Sequence, residues 1–197
     1  LTSLGHSISK PFPSLFTFNM PVETSRARMG LVVSNAIVRI QGTKLSHQGP
    51  VLITHWGMSG PAVLKLSAWG ARELANREYA FSIQVNWAGM VNEEEVNALI
   101  DRHVHEALRK KVANACPLEL PKNFWIHLVE KSGIDPNTTW GELGKKPRNR
   151  LVNHLLNDIF EVQGKTTFKE EFVTCGGVNL AEVDFKSMQS RIVPGLY

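Results

Sequence analysis

One short block places a histidine and a serine among glycines: His55-Trp56-Gly57-Met58-Ser59-Gly60-Pro61. A serine between glycines, after a strand and before a helix, is the setting of a nucleophile elbow. That motif needs Gly-x-Ser-x-Gly, and here Pro61 takes the last position. Two readings remain. The glycine-lined start of a helix can turn its backbone N–H groups toward an anionic or electron-rich ligand. Alternatively the block is a helix cap in a tight turn, with Ser59 as N-cap and Pro61 in the first turn.

A second block, Thr174-Cys175-Gly176-Gly177, ends a strand. Paired glycines permit positive φ and close approach to a flat ligand; equally they make a bulge or turn. No neighbour in sequence argues for a reactive Cys175. His103 and His105 stand two apart on a helix and share no face, and no cluster has metal-ligand spacing, so no metal is expected. Arg109-Lys110-Lys111 and Lys145-Lys146-Pro147-Arg148 read as solvated basic runs at helix ends, complementing the dipole.

These residues need a frame. The first ~25 residues hold Pro11, Pro13 and Pro21 among Phe12, Leu15, Phe16 and Phe18, and read as extended chain. Residues 28–41 and Val51–Thr54 read as strands, with a turn from Gly42 to Gly49-Pro50. A helix follows from about Pro61 to Leu74. Tyr79, Phe81, Ile83, Val85 and Trp87 alternate with polar residues, the period of a strand. From Asn92 the period becomes helical: one helix through Val112, one from Pro121 to Gly133, and one opened by Pro147 that carries Leu151, Leu155, Ile159 and Phe160. Asn92/Glu95 and Thr139/Glu142 have capping-box spacing. β character returns at Phe168, Phe172 and Val173–Val178. The expectation is an α+β chain: a β-barrel-like body from 1–91 plus 161–197, with an all-helical subdomain, 92–160, inserted into it.

Composition sets limits. The 197 residues are 43% hydrophobic and 20% charged, which is globular composition. No apolar run approaches a membrane span, so no membrane is expected. A net charge of +4 is too small to argue nucleic acid, and the Tyr79–Trp87 strand carries no Lys or Arg. Two cysteines exclude a disulfide framework and suit a reducing, cytoplasmic setting. The sequence starts at Leu1 and ends on Gly195-Leu196-Tyr197, so both ends read as cut from something longer.

Taken together, these anchors resemble one family. Gly49-Pro50-Val51-Leu52-Ile53-Thr54-His55-Trp56-Gly57-Met58-Ser59-Gly60-Pro61-Ala62-Val63-Leu64 is similar to a block of the HI0933/YhiN-like (BaiN-type) flavoproteins. Thr174-Cys175-Gly176-Gly177-Val178 resembles a second block, with Met188-x-Ser190 and Val193-Pro194-Gly195-Leu196-Tyr197 after it. Leu4-Gly5-His6 and Pro11-x-Pro13-Ser14-Leu15 add to the likeness. The resemblance implies a flavin-dependent, NAD(P)H-linked oxidoreductase. It implies FAD in the full-length protein but not on this fragment, which lacks Gly-x-Gly-x-x-Gly. The chain then corresponds to the substrate-side insert, a barrel-like part plus a helical subdomain, inactive alone. Its partners would be the remaining FAD-binding domain and a small-molecule substrate, with no nucleic acid. By the same resemblance Thr174, Gly176 and Gly177 approach the flavin. Gly57, Ser59, Gly60 and Pro61 line the same cleft, and His55 is a candidate proton donor. The competing reading is a stand-alone binding or interaction module built on the barrel, for example one that binds nucleic acid.

Overall fold

The computed structural model describes residues 1–20, 30–90, 92–164 and 173–197. Pro21, Phe168 and Phe172 lie outside them. Six strands form one antiparallel sheet in the order β2 (Phe18–Asn19), β5 (Gly57–Ser59), β4 (Ser46–Ile53), β3 (Val32–Ile40), β6 (Ala80–Asn86) and β7 (Asp158–Gln163). The sheet curls until its outer strands meet. The Asn19 amide donates to Gly164 O at 3.3 Å, and Asn19 Nδ2 donates to Gln163 O at 3.3 Å. The result is a nearly closed barrel, so the fold is the α+β, barrel-plus-helices arrangement that the sequence implies.

The alternation read in β6 holds: Phe81, Ile83 and Val85 point inward. β4 starts earlier than expected, because Gly49-Pro50 does not turn the chain. Ser34 and Asn35 of β3 stand against Pro50 alone, since the register passes from Val33↔Val51 to Ala36↔Gly49. A bulge of this kind accommodates a proline that cannot donate to the ladder.

α1 (Pro61–Trp69) and α2 (Ala71–Asn76) replace the single expected helix. Gly70 breaks it, packed 3.0 Å from Leu66 O by the direction a Cβ would take. α3 (Glu93–Glu106) is capped by Asn92, whose side chain accepts from the Glu94 amide. It stops at Glu106 rather than Val112. A 3-10 turn at Val112–Asn114 follows, then α4 (Lys122–Lys131) and α5 (Lys145–Leu156). Thr139 and Glu142 do bond each other, but in a turn that starts no helix. Tryptophans lock these turns: Trp125 Nε1 donates to Val112 O at 2.7 Å and Trp140 Nε1 to Ala115 O at 3.0 Å.

Ile159 and Phe160 are strand residues in β7, not the end of the last helix. Spacing alone extends the row Leu151, Leu155, Ile159, but the chain turns at Asn157 and pairs Phe160 with Ile83. One hydrophobic core runs from barrel residues such as Phe18, Met58 and Ile83 to Val96, Phe124, Trp125 and Leu155 under the helices. Trp87 bridges the two parts. It packs 4.7 Å from Phe124 and 6.0 Å from Phe160, and its Nε1 donates to Asp158 Oδ2 at 3.0 Å. Asp158 is buried and meets Lys131 Nζ of α4 at 2.6 Å.

Outside the barrel, β1 (Ile8–Ser14) pairs with β8 (Val173–Val178) as a two-stranded ribbon. The register shifts between Ser9 and Phe12, so Lys10 and Pro11 stand against Gly176 alone, a bulge that accommodates a proline unable to donate. β9 (Val183–Asp184) and β10 (Gln189–Ser190) form a further short pair.

Candidate functional site

The Thr54–Gly57 turn displays His55. Thr54 closes it: Gly57 N donates to Thr54 Oγ1 at 3.1 Å, and Thr54 N donates to Gly57 O at 2.9 Å. His55 is exposed at the tip, its ring edge-on to Trp56 at 4.0 Å and 76°. Thr54, rather than the imidazole, supplies the bonds that hold the turn. Trp56 Nε1 is buried with no acceptor among the described residues.

After this turn the chain runs straight into β5, so Gly57 and Ser59 are strand residues. Gly57 lies against β2, where a Cβ would come within 2.0 Å of Phe18 O. The N-cap of α1 is Gly60, not Ser59. Gly60 has φ +98°, and its Cβ would meet Pro50 O at 2.8 Å. Pro61 takes the first helical position, as expected, and is exposed. Ala62 and Val63 behind it are buried, with Ala62 N close to Gly49 of β4. The close approaches of these glycines are therefore to this chain's own backbone.

Thr174, Gly176 and Gly177 sit on a different sheet, in the β1–β8 ribbon. The two glycines differ. A Cβ on Gly176, φ +123°, would meet Lys10 O at 2.7 Å. On Gly177, φ +117°, it would meet nothing within 4 Å. Gly176 is required by packing on β1, whereas Gly177 leaves an open face. Thr174 is exposed and Cys175 partly so.

Two clusters escaped residue-by-residue reading of the sequence, and a third was read there only as a solvated basic run. First, His6 is buried between Glu182 Oε2, 2.9 Å from its Nδ1, and Ser190 Oγ, 2.9 Å from its Nε2. The order resembles a hydrolytic triad. However, Ser190 Oγ accepts from Ile192 N at 3.1 Å and Val193 N at 2.9 Å, which engages the lone pairs a nucleophile needs. Glu182 also accepts from the Ser7 amide and hydroxyl, and the hydroxyl bond first, then the amide and His6, hold its carboxyl below the usual range. This cluster ties segments together. The signal was present, since His6 and Ser190 both stand in the blocks that carry the resemblance. Second, Trp87, Asp158 and Lys131 join barrel to helices, with His154 at 4.0 Å from Asp158.

Third, α5 carries Lys145, Lys146, Arg148 and Arg150 with no acidic residue in its first turn. Lys145 and Lys146 lie at its N-terminus, so they oppose the dipole instead of complementing it. Among the described residues no group of three or more His, Cys, Asp or Glu is placed to hold a metal. No helix there is long and apolar enough to cross a membrane.

Comparison with known proteins places this architecture. The chain is 28% identical over 185 residues, 92% of its length, to the ribosomal RNA dihydrouridine synthase of Escherichia coli. It is 27% identical over 197 residues, 98% of its length, to the enzyme of that name from Haemophilus influenzae. To the 3-dehydro-bile acid delta(4,6)-reductase of Clostridium scindens it is 22% identical over 99% of its length. It spans 42%, 45% and 48% of those proteins respectively, somewhat less than half of each. The family model for the HI0933-like protein barrel and H2TH domain matches residues 12–173, and the chain belongs to that family.

Proposed function

We propose that this chain is the substrate-side wall of a flavin-dependent reductase that saturates a conjugated carbon–carbon double bond, the substrate being a uridine in folded RNA. The observation that carries this reading is the chemistry shared by the relatives' names. Dihydrouridine is uridine with two hydrogens added across one double bond, and a delta(4,6)-reductase adds hydrogens across double bonds too. This sets aside the expectation of no nucleic-acid partner, which rested on the modest net charge and on one strand. The RNA reading and the two free cysteines fit a cytoplasmic site of action.

The chain has no Gly-x-Gly-x-x-Gly turn, so the remaining FAD-binding domain of the same protein would hold the pyrophosphate. What this chain offers to one edge of the flavin ring is the open face of Gly177, three residues along β8 from Thr174. FAD, reduced by NAD(P)H, supplies a hydride when bound. This chain's own part is positioning and the proton. Thr54 and Gly57 close the turn that presents His55, and Ser59, Gly60 and Pro61 carry the chain from it through β5 into α1. The exposed imidazole can deliver the proton that balances hydride addition at the neighbouring carbon. A small unsaturated ketone is the second reading, favoured by the bile-acid relative.

The test is expression of the full-length protein in a bacterium lacking its own dihydrouridine synthases, with mass spectrometry of ribosomal RNA. Dihydrouridine should appear with the wild type and fall with His55→Gln. No dihydrouridine, together with turnover of a steroid enone, would overturn the RNA reading in favour of the second.

A further inference from the structure

Charge on this chain is unevenly placed. Residues 107–157 contain nine Lys and Arg against four Asp and Glu, while the whole chain is only +4. The rest of the molecule is therefore close to neutral, and the excess sits on the turns and helices beside the barrel. Within it, α5 shows two rows four residues apart: Lys145, Asn149 and Asn153, then Lys146, Arg150 and His154. All but the half-buried His154 are exposed, and the six line an open surface trough of about 550 Å³. The opposite face, Leu151, Val152, Leu155 and Leu156, is buried.

Two features make this more than a solvated helix. Arg148 is paired with Asp101 at 2.6 Å, but Lys145, Lys146 and Arg150 have no ion pair among the described residues. Lys145 and Lys146 also stand at the positive end of the helix dipole, where cations cost stability and an anion is favoured by both charge and dipole. The positive field reaches His154: burial first, then Lys131 and Arg150, hold its imidazole below its ordinary value despite Asp158.

We propose that the exposed face of α5, through Lys145, Lys146 and Arg150 with Asn149 and Asn153 between them, grips the sugar–phosphate backbone of the folded RNA whose uridine is reduced. This rests on the RNA reading above. The row runs ~13 Å along the helix, long enough for successive phosphates of one strand. Lys and Arg neutralise phosphate charge, and Asn amides reach sugar and phosphate oxygens. The contact is read by shape and charge rather than by base sequence.

The experiment uses the full-length protein, a fluorescent hairpin RNA and protein-free ribosomal RNA as probes. The triple variant Lys145→Gln/Lys146→Gln/Arg150→Gln is compared with Lys44→Gln/Lys65→Gln/Arg72→Gln, an equal charge change on exposed positions elsewhere. Glutamine keeps helix propensity close to that of lysine and arginine, so α5 should survive. Anisotropy across a salt series should show at least about tenfold weaker binding for the α5 variant. Its log–log salt slope should be shallower by about 2, near the value for two or three lost phosphate contacts. The control should stay within about twofold. Equal losses in both variants, or none in either, would overturn the proposal. So would wild-type binding to phosphatidylglycerol vesicles that is lost in the same variant while RNA binding is kept. Dihydrouridine in ribosomal RNA separates the two ideas. If the wild type makes it and the α5 variant matches it at limiting enzyme, the face is wrong and the substrate reading stands. If the wild type makes none, the substrate reading fails whatever the binding shows.

Discussion

His6 Nε2 lies 2.9 Å from Ser190 Oγ, although 184 residues separate them. Through Glu182 on its other nitrogen, the same imidazole holds the segment before β1 to the segments after β8. Ser190→Ala should free the amides of Ile192 and Val193, and their hydrogen exchange should accelerate while barrel amides do not change. His6→Ala, which empties a buried two-sided bond, should cost ~1–3 kcal/mol of local stability. If exchange at Ile192 and Val193 is unaffected by either change, the clamp carries no weight.

Glu182 makes that clamp acid-sensitive, with a definite sign. Its folded pKa is lowered below the ordinary 4.5, first by the Ser7 hydroxyl. A lowered carboxyl stabilises the fold above its unfolded pKa and loses that contribution as pH falls through the folded one. A carbon-detected NMR titration should place Glu182 below 4.5, and Ser7→Ala should move it upward.

The glycines should separate into two classes. Gly57→Ala drives a Cβ to 2.0 Å from Phe18 O. It should cost more than ~3 kcal/mol or prevent folding, because only backbone is there to yield. Gly177→Ala meets open space and pays only for positive φ, ~1–2 kcal/mol. In the full-length protein, Gly177→Val should reduce flavin absorbance or turnover more than it lowers the melting temperature. A stability loss with full flavin occupancy and turnover would assign Gly177 to the ribbon alone.

His55 is exposed, so His55→Gln should change stability by less than ~0.5 kcal/mol. Turnover in the full-length protein should drop. Wild-type turnover in both His55→Gln and His55→Ala would remove the proton-donor role.

The cysteines should differ in reactivity. Burial raises Cys116 to about 11, leaving roughly one thiolate in a thousand at about pH 8. Alkylation at that pH should spare Cys116 in the folded chain and reach it in denaturant. Rapid modification of folded Cys116 would show that its loop opens.

Sequence was most informative where one rule acted alone. Pro61 at a helix start and alternation along β6 could be read directly, because each reflects local sterics or a single buried face. It was least informative where two rules competed. Ile159 continues the helical row of Leu151 and Leu155, and only its pairing with Gln84 makes it a strand. Pro50 reads as a turn until the bulge on β3 is seen. The basic run at Lys145 reads as dipole-complementing only if its helix end is taken generically; Pro147 already marks that end as the start, where cations oppose the dipole. Of the candidate site, the strand character of Val173–Val178 was legible, but its pairing with β1 in a ribbon outside the barrel was not. Which glycine packs and which lies open was not, since that depends on Lys10 O, a partner far away in the chain.

The β1–β8 ribbon also has a mechanical meaning. Ile8 faces Val178, and Ser14 faces Val173, so the two strands are gripped from the same end. A pull that separates the flanking segments loads the pairs in turn, as a zipper does, rather than shearing all of them together. The ribbon would open at low force after the His6 clamp releases, while the six-stranded barrel stays closed. It is a tether that yields before the part it holds.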